Sequence, residues 1–110
     1  MIFLVGDDRE WRDGVEAALK SRWPVRAFPD GKTAIDGVRA DVPAGVVTDM
    51  AVAALDGFAL LRALPANPGT RDVPVIVLAT SADPDERVAA LEAGAAFTLE
   101  LPVLAQSAAA

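Results

Sequence analysis

The stretch Ile2-Phe3-Leu4-Val5-Gly6-Asp7-Asp8 decides how the rest of the chain is read. Four consecutive apolar residues, two of them β-branched, form a short run that suits a strand buried on both faces. The run stops at a glycine and two carboxylates. No basic segment precedes it and no small-residue cleavage site follows, so it reads as a core strand and not as a secretion signal.

Outward from that strand, apolar periodicity alternates between two kinds. Trp11, Val15, Ala18 and Leu19 recur at helical spacing and stop before Pro24. Pro24–Phe28 is a second strand. Asp30 suits a helix cap, and Ala34, Ile35 and Val38 share one face of the helix that closes before Pro43. Gly45–Thr48 is a third strand. Phe58, Leu61 and Leu64 give a helix that Pro65 and Pro68 are expected to break. Val73–Leu78, rich in β-branched residues, is the clearest strand of all. Asp83-Pro84-Asp85-Glu86 opens the next helix with a cap, a proline at the first helical position and a carboxylate three residues after the cap. Val88 and Leu91 follow on that helix, and Gly94 suits its end. Ala95–Leu99 is the fifth strand, and a last helix from Val103 has little length left, so it is expected to be short or truncated.

Strands alternating with helices in 110 residues predict one α/β domain over residues 1–110. The expected architecture is a doubly wound, flavodoxin-like parallel sheet of five strands in the order 2-1-3-4-5, with helices on both faces. Composition narrows the chemistry. The chain has no cysteine and no histidine, which excludes disulfides, thiolate metal sites and histidine as base or phosphoryl carrier. A net charge of −6 argues against nucleic-acid binding through this domain. Although 53% of residues are hydrophobic, no uncharged apolar run approaches the ~18 residues of a membrane span. Carboxylates remain as the reactive groups.

In sheets of this kind, sites form beyond the carboxyl ends of the strands. Asp7 and Asp8 follow strand 1, and Asp49 follows strand 3. Strands 1 and 3 are neighbours in the expected order, so three carboxylates would converge and repel one another. A hard divalent cation relieves that conflict, and Mg²⁺ suits a site with few carboxylates and several waters. Taken alone, Asp7-Asp8 after a strand is more often a helix cap with a solvated neighbour, and Asp49 the start of a loop.

The chain then resembles the receiver domains of two-component response regulators. Gly6-Asp7-Asp8 resembles their acidic pair after strand 1, and Val46-Val47-Thr48-Asp49 their phosphoacceptor aspartate. Asp56-Gly57-Phe58, Asp72-Val73-Pro74-Val75-Ile76-Val77-Leu78, Leu91-Glu92-Ala93-Gly94-Ala95 and Pro102 are similar to later landmarks, spanning residues 2 to about 103. The resemblance implies a cytoplasmic, non-enzymatic phosphoacceptor domain. Asp49 would be the nucleophile, and Mg²⁺ would be held by Asp7, Asp8, Asp49 and the backbone carbonyl of Ala51. The partners implied are a sensor histidine kinase or phosphotransfer protein. A second copy is a further partner, bound through the fourth helix, fifth strand and fifth helix, with Val75, Val77 and strand 5 expected to be left under-covered.

Departures from the pattern mark a damaged switch. Leu101 stands where the family keeps a lysine, Ala79 where it keeps a hydroxyl, Thr98 where it favours an aromatic, and Ala53 where a proline is usual. Thr80 or Ser81 would supply the hydroxyl only after a one-residue slip. Two other readings follow from the same residues. One is a pseudo-receiver that binds partners without phosphorylation; the other is a Mg²⁺-dependent hydrolase. The hydrolase lacks a general acid, because Ala51 stands two residues after Asp49 and there is no histidine.

Overall fold

The computed structural model describes residues 1–6, 9–50, 53, 58–79 and 84–100. In chain order these form β1 (Ile2–Val5), α1 (Arg9–Lys20), β2 (Val25–Phe28), α2 (Gly31–Ala40), β3 (Gly45–Asp49), α3 (Ala59–Ala66), β4 (Val75–Ala79), α4 (Pro84–Ala93) and β5 (Phe97–Glu100). The five strands form one sheet in the order β2-β1-β3-β4-β5, with every neighbouring pair parallel. This is the architecture expected from the alternation.

Central parallel strands bury both faces, which is why β1 is wholly apolar and β3 is apolar up to Thr48 and Asp49 at its end. Phe3, Val5, Val46, Val75 and Val77 face one side, where they pack with residues of α2, α3 and α4. Leu4, Val47 and Leu78 face the other, against Trp11, Val15 and Leu19 of α1. Helices thus lie on both faces.

Local signals set the helix ends. The Asp30 side chain accepts from the backbone N–H of Thr33 at 2.8 Å and caps α2. Pro84 is the first residue of α4, where its missing N–H costs nothing. Gly94 ends that region at φ +125, a conformation that only glycine adopts without strain.

Three expectations need correction. α3 does not break at Pro65 but runs one residue beyond it. So near the C-terminus the proline forfeits one intrahelical bond, and Thr70 Oγ1 meets the Leu64 carbonyl at 2.6 Å. Phe58 lies before α3 in the left-handed region at φ 61, so it is the entry to the helix and not part of it. Val75 and Val77 are not under-covered: they are 3% and 0% exposed, because they face α2, α3 and α4. Residues on the other side of the pleat tell the opposite story. Phe97 and Leu99 pair with Ile76 and Leu78, project toward the α1 face, and are 65% and 44% exposed. Val88 and Leu91 on α4 are also exposed. The last helix expected from Val103 lies outside the described residues.

Candidate functional site

The site grows from the pairing of β1 with β3. Val5 stands opposite Thr48, so the next residues, Gly6 and Asp49, emerge side by side at the carboxyl ends of adjacent strands. A Cβ placed on Gly6 would lie 3.0 Å from Oδ2 of Asp49 and 2.8 Å from Cζ2 of Trp11. The Asp49 carboxylate and the benzo ring of the Trp11 indole therefore flank the bare Cα of Gly6. No side chain fits between them.

Gly6 is held firmly in that place. Its N–H donates to the Phe28 carbonyl at 2.8 Å, and its carbonyl accepts from a terminal nitrogen of Arg12 at 3.1 Å. Its φ of +140 belongs to a region that L side chains avoid. Asp49 itself is 4% exposed. Burying an ionisable carboxylate is costly unless donors or a cation meet it, and Asp49 places this one at the carboxyl end of β3, where sites form in sheets of this kind.

Of the residues singled out from sequence, Asp49 and Thr98 are fully described. Ala79 ends β4, paired with Glu100 of β5. Thr98 pairs with Val77 and its Oγ1 accepts from Nε of Arg87 at 3.3 Å. Asp7, Asp8, Ala51 and Leu101 lie outside the described residues. Sequence reading missed Gly6, Trp11 and Arg12 as the surroundings of Asp49. Trp11 was placed correctly on the buried face of α1, but its helical spacing shows nothing of what lies beside its ring. The one available signal was a glycine directly before the acids.

Known proteins share this fold. The family model of the response regulator receiver domain matches residues 2–107. The response regulator MprA of Mycolicibacterium vanbaalenii is 35% identical over 102 residues, covering 92% of this chain and 43% of that protein. The chain thus spans less than half the length of that relative. Among solved structures, the receiver domain of the sensor histidine kinase PA1611 from Pseudomonas aeruginosa has a TM-score of 0.80 at 29% identity, covering 92% of this chain and 84% of the other. That protein carries a magnesium ion coordinated in its active-site cleft. The Mn²⁺-bound response regulator Rcp1 has a TM-score of 0.76 at 25% identity, covering 90% of this chain and 78% of the other. With nearly its whole length matched, the chain belongs to the response regulator receiver domain family.

Proposed function

We propose that Asp49 accepts the phosphoryl group. The observation that carries this is the carboxylate itself: it is 4% exposed at the end of β3, beside the end of β1. A carboxylate oxygen of Asp49 attacks phosphorus in a phosphohistidine of a sensor kinase or phosphotransfer protein. The P–N bond breaks, its electron pair returns to the imidazole, and an acyl phosphate remains on Asp49. Asp49 needs no general base, since a carboxylate is nucleophilic when ionised.

The donors suit a hard cation, because Asp49 offers carboxylate oxygens at a strand end. Asp7, Asp8 and the carbonyl of Ala51 are the further ligands we assign. Mg²⁺ bound there supplies charge neutralisation for the transferring phosphoryl oxygens. The magnesium and manganese bound by the related receivers support this choice.

The switch is impaired in this reading. Leu101 offers no cation to the phosphoryl group and Ala79 no hydroxyl, so phosphorylation of Asp49 has little to pull on. The chain from 1 to 110 acts in the cytoplasm as a signalling domain, not an enzyme with a turnover substrate, and needs no nucleic acid or membrane. A phosphorylation-independent interaction module is the less favoured reading, because the acceptor carboxylate keeps its buried placement. Acetyl phosphate with Mg²⁺, followed by intact mass, tests the assignment. One added phosphate in the parent and none in Asp49→Asn is expected; no addition to the parent sinks it.

A further inference from the structure

The geometry points to Gly6 as a positioning residue for the Asp49 carboxylate, with Arg12 holding Gly6 in place. The inference rests on Asp49 being the acceptor. It starts from the space that a side chain at residue 6 would need. A Cβ there would lie 3.0 Å from Oδ2 of Asp49, 2.8 Å from Cζ2 of Trp11 and 3.3 Å from its Cη2. All three distances are shorter than the ~3.5–4.0 Å of ordinary carbon contacts. The carboxylate therefore occupies its place because residue 6 has no side chain.

The surroundings leave that space little freedom to open elsewhere. Trp11 is 8% exposed and packs with Leu4, Val47 and Leu78, so its ring has little room to retreat. The Gly6 N–H donates to the Phe28 carbonyl at 2.8 Å, and a terminal nitrogen of Arg12 donates to the Gly6 carbonyl at 3.1 Å. Residue 6 is thus tied at both of its polar groups, once to β2 and once to the first turns of α1. The backbone of Asp49 is fixed by the register that sets it against Leu78. What remains adjustable is the Asp49 side chain. A methyl at residue 6 would push it, and a nucleophilic oxygen displaced by a fraction of an ångström loses its alignment with phosphorus. Arg12 acts one step further back, because the carbonyl it holds belongs to the residue that borders the carboxylate.

Acetyl phosphate with Mg²⁺, followed over time by intact mass, gives the maximal rate of phosphorylation and the donor concentration at half that rate. Gly6→Ala should lower the maximal rate about tenfold, as misplaced reacting atoms do, and leave the half-saturating acetyl phosphate near the parent's. Alanine at a φ of +140 also costs stability, so a variant destabilised elsewhere is the control. Leu64, 3% exposed, lies beside the turn that leads into β4 at the other end of the sheet. Leu64→Ala should lower the unfolding midpoint and keep the parent's rate. Should Gly6→Ala fail to fold, Arg12 decides. Arg12→Met should slow the reaction severalfold, while Arg12→Lys, which still donates to the Gly6 carbonyl, should stay closer to the parent. Three results overturn the positioning role and leave the acceptor assignment standing: Gly6→Ala reacting at the parent's rate, Leu64→Ala slowing as much as Gly6→Ala, or Arg12→Met and Arg12→Lys reacting alike. No phosphate gained by the parent overturns the acceptor assignment, and the positioning role with it.

Discussion

Arg87 on α4 donates through Nε to Oγ1 of Thr98 on β5 across 3.3 Å, joining the helix after β4 to the edge strand. This contact lies on the side of the sheet away from α1, since Thr98 pairs with Val77. It is where a signal from Asp49 must arrive if it is to leave through α4 and β5. With Leu101→Lys and Ala79→Thr together, phosphorylation or beryllium fluoride should shift backbone resonances after Leu78 and at Arg87 and Thr98. The parent should show shifts confined to the neighbourhood of Asp7, Asp8 and Asp49. The two substitutions should be non-additive, because both would contact one phosphoryl group. Distant shifts in the parent would mean that the switch works by another route.

Mg²⁺ should stabilise the fold by about 1.4 kcal/mol at ten times its Kd, through binding to the folded state alone. Thermal unfolding across millimolar Mg²⁺ measures this. Asp8→Asn should abolish the gain, and a parent midpoint indifferent to Mg²⁺ would exclude a working metal site.

Two helical glycines should answer alanine with opposite signs. Gly14 in α1 has open space where a methyl would be added, so Gly14→Ala should stabilise by roughly 0.5–1 kcal/mol through helix propensity. Gly37 in α2 faces Phe28, whose Cζ would sit 2.5 Å from the new Cβ. Phe28 is itself packed on Phe3 with ring centroids 4.7 Å apart, and it has little room to retreat. Gly37→Ala should therefore destabilise, by about 1–3 kcal/mol of overpacking less the propensity gain. Denaturant melts of both variants decide; a stabilised Gly37→Ala would refute the packing described for this face.

The Asp30 cap should leave a signature in acid. Its carboxyl is held below the ordinary value of 3.8, first by the backbone N–H of Thr33 and then by the Thr33 hydroxyl. A lowered folded-state value means that the cap's contribution is fully present above 3.8 and fades as pH falls through the folded value. Asp30→Asn, which caps without ionising, should match the parent near neutrality and lose less than the parent below 3.8. Identical acid profiles would show that the cap does not titrate with folding.

Self-association should track the apolar residues that the described helices leave uncovered. Phe97 and Leu99 on one face of β5, with Val88 and Leu91 on α4, are all exposed. Exposed apolar groups of this kind mark contact surfaces. Sedimentation at high concentration should show a dimer that Phe97→Asp weakens, while a strict monomer at millimolar protein would rule it out.

The order of elements could be read directly, since the periods of strand and helix are local properties of a chain. So could Asp49 at a strand end, the Asp30 cap and the stop at Gly94, each of which depends on a few adjacent residues. Pro65 misled because a proline's cost depends on its distance from the helix end, which packing sets. Val75 and Val77 misled for a different reason. Alternation shows that two residues share a face, but strand pairing decides which helices cover it, and here that assigns exposure to Phe97 and Leu99 instead.

The sequence by itself determined that five strands alternate with helices and that Asp49 stands where one of them ends. Only the tertiary structure decided what surrounds Asp49. The parallel register that sets Val5 against Thr48 brings Gly6 beside an acid 43 positions later, and the pitch of α1 lays the Trp11 ring over the gap. Such contacts join residues whose own local patterns carry no trace of each other, because burial is satisfied by the whole sheet and not by any one segment.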